Sequence, residues 1–150
     1  MVPGRLALPI LRSLLLLACL IGGPVACAGN TLEAATPSVT RQGIVRVTVE
    51  DISKDVLQFK VHNLSKEPLT VIKGEIEVET PYGIIRMPQG TKAAVYEVPP
   101  GGQQPISVKL TLKDMERHDP VEVHFDSAIR QRGQPVAMDP VLFYVKHASE

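Results

Sequence analysis

Two stretches between Val56 and Leu112 alternate apolar and polar residues one by one, and this period of two restricts the chain more than any other feature. Leu57, Phe59 and Val61 alternate with Gln58 and Lys60, and Ile106, Val108, Leu110 and Leu112 alternate with Ser107, Lys109 and Thr111. Successive side chains of a strand point to opposite faces, so each stretch presents one apolar face to a core and one polar face to water. Sheets of such half-buried strands are antiparallel and pack face to face.

The rest of the chain extends the pattern. Val45, Val47 and Val49 alternate with Arg46, Thr48 and Glu50, giving a first strand from Gly43 to Glu50. Asp51 to Asp55 is a polar turn leading back into Val56–Val61, so the two form a hairpin. His62 to Pro68 holds Asn, Ser and Pro, residues that favour turns. Leu69 to Thr80 reads as a longer strand whose apolar parity changes midway, with Gly74 as a bulge or bend that lets the strand cross from one sheet to the other. Thr80-Pro81-Tyr82-Gly83 fits a tight hairpin returning through Ile84 to Met87. After an interruption at Pro88-Gln89-Gly90, Thr91 to Val98 resumes, and Pro99-Pro100-Gly101-Gly102 turns the chain into the Pro105 to Leu112 strand. Lys113 to Pro120 is a charged connection with room for one helical turn from Asp114. Val121, Val123 and Phe125 alternate again, Arg132-Gly133-Gln134 turns, and Val141, Phe143 and Val145 form the last strand. The expected fold is all-β, an antiparallel immunoglobulin-like sandwich of about seven or eight strands.

The first 28 residues read as a signal peptide: Arg5 and Arg12 give a positive start, Ser13 to Ile21 an apolar run, and Gly22-Gly23-Pro24 a break before Ala26 and Ala28. The run of about nine residues falls well short of the roughly 18 that cross a bilayer. Ala26-Cys27-Ala28-Gly29 also resembles a lipoprotein junction, so a lipid anchor at Cys27 is the rival to soluble export. Either way the expected location is the periplasm or cell envelope. Cys19 and Cys27 both lie in this leader, so no disulfide can hold the body together. Residues 29–42 are rich in small residues and lack sustained periodicity, which reads as a flexible leader, followed by a sandwich domain over 43–146 and a tail over 147–150.

Of the 150 residues, 44% are hydrophobic and 21% charged, an ordinary globular balance. Without Arg5 and Arg12 the 16 basic residues become 14 against 16 acidic ones, so the mature net charge is about −2. A scattered, balanced charge excludes a nucleic-acid footprint. With 4% aromatic residues and no Trp there is little with which to stack bases.

Candidate chemistry is sparse. Among the four histidines, His62 sits at a strand end, His118 in a charged loop, His124 on the solvent face of a strand and His147 in the tail. Only His118 and His124, flanking Asp119 and Asp126, have ligand-like spacing, which makes a periplasmic metal-handling protein the alternative reading. Glu75, Glu77 and Glu79 stand in a row along one strand. Carboxylates spaced about 7 Å apart on one strand cannot converge on an ion without other ligands, so the row reads as a solvated face that discourages edge pairing. None of Ser53, Ser65, Ser107, Ser127 or Ser149 lies in a Gly-x-Ser-x-Gly elbow. A small hydrolase is the third reading; no catalytic, cofactor-binding or metal residue is assigned. Asn63-Leu64-Ser65 matches a glycosylation sequon, relevant only in a eukaryotic secretory setting.

Phe59-Lys60-Val61-His62-Asn63, Glu67-Pro68-Leu69-Thr70-Val71 and Val98-Pro99-Pro100-Gly101-Gly102 resemble small exported sandwich modules of the FxLYD and late-embryogenesis-abundant type 2 (water-stress) kind, over about residues 57–112. Ile76 to Thr80 stands where the FxLYD signature would be. The resemblance implies an immunoglobulin-like fold and a non-catalytic role, and transfers no site residues. The expected function is therefore that of an exported, non-enzymatic module binding a protein partner through a sheet edge or face. The first strand (Gly43 to Glu50) and the last (Val141 to Val145) are the candidate edges.

Overall fold

A computed structural model describes residues 29–53, 55–86 and 94–147; the expected signal peptide with Cys19 and Cys27, and residues 87–93 of the expected strands and interruption there, lie outside them. The strands are β1 (Asn30–Ala34), β2 (Ser38–Arg41), β3 (Val45–Ser53), β4 (Val56–Asn63), β5 (Leu69–Ile72), β6 (Glu77–Thr80), β7 (Gly83–Arg86), β8 (Val95–Val98), β9 (Gln103–Lys109), β10 (Pro120–His124), β11 (Ile129–Gln131), β12 (Gln134–Pro135) and β13 (Val141–His147). They form three sheets, ordered β1-β13-β10-β6-β7, β2-β3-β4-β9 and β12-β11-β5-β8. Every pairing is antiparallel, so the molecule is the expected all-β sandwich. Among the described residues, no helix is long and apolar enough to cross a membrane.

Alternation becomes burial as expected. In β4, Leu57, Phe59 and Val61 are buried while Gln58 is exposed, and in β9 Ile106 and Val108 are buried between exposed Pro105, Ser107 and Lys109. Facing them are Val121 and Val123 of β10 and Val141, Phe143 and Val145 of β13. Phe59 meets Phe125 edge-to-face at 5.1 Å and Phe143 at 6.0 Å between ring centroids, which fastens one sheet to the other. Leu69, Val71, Val98 and Ile129 of the third sheet join the same core.

Residues 29–42 are not a flexible leader. They hold β1, paired along its length with β13, and β2, paired with β3. Between them the chain passes from one sheet to the other, tied by Ala35 and Thr36 N–H groups donating to Leu142 O and by the Val49 N–H donating to Pro37 O. Only Leu32 is fully buried there, with Ala34 and Val39 packed against the core. Strands this short contain too few inward positions to display a period, and the ladder bonds that hold them are backbone bonds, blind to side-chain identity.

This segment also corrects the expected edges. The expected Gly43–Glu50 strand is β3, which starts at Val45 after a turn over residues 42–44 and is flanked by β2 and β4, while the last strand, β13, is flanked by β1 and β10. His147 is the final residue of β13 rather than part of a tail. The parity change in residues 69–80 does carry the chain between sheets, but through a 3-10 turn at Lys73–Glu75 that separates β5 from β6, not through a bulge within one strand. The ladder irregularity lies instead in β3, between Val49 and Asp51. Residues 110–119 contain turns closed by Met115 N–H to Leu112 O and Asp119 N–H to Glu116 O in place of a helical turn, and Leu110 and Leu112 stay buried beyond the end of β9.

The turn after β4 is organised by Asn63, 1% exposed. Its amide donates to Glu67 O at 2.7 Å and Val98 O at 3.0 Å, and its Oδ1 accepts the Ser65 N–H at 3.0 Å. Its backbone N–H donates to Gly102 O, and its carbonyl accepts the Gly101 N–H. The Pro99–Gly102 turn, with Gly101 at φ +74°, is thereby stapled to the end of β4. The sequon asparagine is a fully employed buried amide with no room for a glycan.

Two substitutions test these assignments by denaturant unfolding. Leu32→Ala is expected to cost about 2–5 kcal/mol if β1 belongs to the core, whereas Ile84→Ala on exposed β7 should stay within about 0.5 kcal/mol. Asn63→Ala should cost about 2 kcal/mol or more, because it removes the side-chain donor to the Val98 carbonyl and the acceptor of the Ser65 N–H.

Candidate functional site

The five-stranded sheet carries on its outer face the most concentrated set of reactive side chains among the described residues. Glu79 of β6 is directly opposite Glu122 of β10, and His124 stands two residues further along β10 on the same face. His124 Nε2 lies 3.1 Å from Glu79 Oε2 and 3.3 Å from Glu122 Oε2, and the three donor atoms fall within 4.8 Å of one another. The His124 side chain is 24% exposed, against 39% for Glu122 and 53% for Glu79. Glu77, opposite His124 in the register, turns away to Arg86 of β7 at 3.0 Å.

The residues singled out in the sequence are redistributed. His118 lies in the turn before β10 and His124 is the last residue of that strand, so they do not form one cluster. Asp119 and Asp126 are employed elsewhere: Asp119 Oδ2 accepts the Tyr82 hydroxyl at 2.9 Å and the Glu116 N–H at 2.8 Å, and Asp126 Oδ1 accepts the Ser127 N–H. His62 Nε2 lies 3.0 Å from Thr48 Oγ1 across the β3–β4 ladder. The row of three glutamates is broken, because Glu75 falls in the 3-10 turn while Glu77 and Glu79 belong to β6. Glu79 does acquire partners, from another strand, which the sequence could not supply because the β6–β10 pairing spans 45 residues between Glu79 and His124.

The same sheet ends in an unusual edge. Among the described residues β7 pairs only with β6, and its four residues are all exposed. Ile84 is 57% exposed and Ile85 39%, and being adjacent they point to opposite faces. With Tyr82 and the Met115 loop they border an open cleft of about 360 Å³. Of the other outer strands, β12 is two residues long and contains Pro135, β9 presents Pro105 and Lys109, β2 presents Ser38, Thr40 and Arg41, β1 presents Glu33, and β8 exposes one aliphatic residue, Val95, beside Glu97. β7 has neither proline nor lysine.

The hairpin leading into β7 is rigid. Thr80 pairs with Gly83 around the two-residue loop Pro81-Tyr82, and the Thr80 hydroxyl donates to Gly83 O at 3.0 Å and accepts the Tyr82 N–H at 3.2 Å. Gly83 takes φ +133°, a value open to glycine. The hydrogen bond to Asp119 holds the Tyr82 phenol above its ordinary 10.0, and the charges of Asp119 and Glu116 push the same way.

No protein-family model, curated protein or solved structure matches the chain.

Because the folded-state pKa of Tyr82 is raised, its contribution to stability is complete below pH 10.0 and is lost as pH rises above that value. An ultraviolet titration, taken as the difference between the native protein and Tyr82→Phe, should place this phenol above 10.0, and Asp119→Asn should bring it back toward that value.

Proposed function

We propose that the chain is an exported, non-catalytic envelope module with an immunoglobulin-like sandwich, and that it binds a polypeptide partner by adding an extended segment to the edge of β7. The observation that carries this reading is the exposed pair Ile84 and Ile85 on an outer strand whose far side has no ladder partner among the described residues. Strand addition draws affinity from backbone hydrogen bonds and specificity from alternate side chains. β7 offers both, with an apolar side chain on each face and the cleft beside Tyr82 and Met115 to receive a side chain of the incoming strand. The partner segment is accordingly extended and rich in aliphatic or aromatic residues. Export rests on the basic and apolar leader. The non-catalytic assignment rests on the residue types and on the likeness of residues 57–112 to FxLYD and water-stress modules.

A photo-cross-linking amino acid placed at Ile84, compared with one at exposed Ser107 on the β9 edge, tests this in envelope extracts. A defined protein should be captured from position 84 and not from 107, and Ile85→Lys should abolish the capture while leaving the unfolding midpoint unchanged. Equal capture from both positions, or none from 84, overturns the reading.

A further inference from the structure

The Glu79–Glu122–His124 cluster poses an electrostatic problem on its own terms. Like charges directly opposite each other on neighbouring strands are destabilising, and Glu79 and Glu122 are such a pair. His124 turns the same ring nitrogen toward both carboxylates. If Nε2 is unprotonated, its lone pair faces two anionic oxygens. If it is protonated, it has one hydrogen for two acceptors. Neither distance is that of a strong charge-assisted bond, about 2.7–2.9 Å, since the two are 3.1 and 3.3 Å.

A metal ion resolves both difficulties. Zinc binds imidazole nitrogen and carboxylate oxygen at about 2.0–2.2 Å, so two donors on a tetrahedral ion stand about 3.3–3.5 Å apart. The Nε2–oxygen separations already approach that edge length, and the exposed glutamates can close the remaining carboxylate–carboxylate gap by side-chain rotation. We propose that Glu79, Glu122 and His124 form a binding site for a first-row divalent cation of the Zn²⁺ class on the outer face of β6 and β10. The imidazole selects such an ion over Mg²⁺ or Ca²⁺, which take oxygen ligands. Three protein donors leave a coordination position open to solvent. His118 is no part of the site. The inference stands apart from partner binding at β7, since it uses side chains of β6 and β10 and not the free edge.

Calorimetric titration of the full chain with Zn²⁺, repeated with Mg²⁺ and Ca²⁺, tests it. One equivalent of Zn²⁺ should bind and raise the unfolding midpoint, with little heat from the other two ions. Glu79→Gln, Glu122→Gln and His124→Ala should each weaken that binding by about tenfold or more, as loss of one of three ligands requires, while His62→Ala and His118→Ala leave it unchanged. The glutamine variants keep side-chain volume at exposed positions, and their unfolding curves check that they are folded. Absence of Zn²⁺ binding in the native protein, or native-like binding in the folded glutamine variants, overturns the proposal; the latter would place any zinc on other groups, such as the leader cysteines.

Discussion

The edge-to-face contact of Phe59 with Phe125 and Phe143 is the point at which the β2-β3-β4-β9 sheet is locked to the five-stranded sheet. It fixes more than their spacing. With Phe59 inward, the period of two forces Leu57, Val61 and Asn63 inward as well, and all four are buried. A polar amide at the last inward position of β4 is costly unless every donor and acceptor is used. Satisfying it draws in Glu67, Ser65 and Val98 and the Pro99–Gly102 turn. Asn63 is thus the consequence of Phe59, one pleat pair further on.

What could be read from the sequence follows the same logic. β3, β4, β9, β10 and β13 show two or more inward apolar residues in alternation, and a period is visible only when it repeats. β1 and β2 have between them a single fully buried side chain, Leu32, and are held by ladder bonds that any residue but proline can make in full. The edges are displaced for the same reason, since β1 and β2 cover the two strands whose patterns are strong, β13 and β3. The crossing between sheets after Ile72 was legible in the parity change, although its device, a 3-10 turn, was not. The alternation of β10 puts His124 on the face away from Val121 and Val123, but a strand's faces are local properties while its neighbours are not. Nothing between residues 79 and 122 encodes in pattern that β6 lies beside β10.

The outer face of the five-stranded sheet can be followed as rows across the strands. In one row Ile84, Glu79, Glu122 and Leu142 stand side by side, and in the next Arg86, Glu77 and His124. The second row is internally balanced, since Arg86 and Glu77 form an ion pair at 3.0 Å. The first has two carboxylates between two aliphatic residues and no cation of its own, so its charge is met diagonally by His124. An exposed pair contributes little to stability. The diagonal contact therefore does little to offset the repulsion between the facing carboxylates, which fits side chains placed for something other than holding the sheet together.

Ile84 is where the proposed edge and the proposed cation site come closest, because it pairs with Glu79. A strand added beyond β7 would put its nearest residue two ladder spacings from Glu79, about 10 Å at roughly 4.8 Å per spacing. That is beyond ligand reach and comparable to the screening length of about 8 Å at physiological salt. A bound cation would thus neither coordinate the added strand nor strongly attract it. What it would change is the stiffness of β6, by tying Glu79 to β10, and β6 is the strand on which β7 is hung.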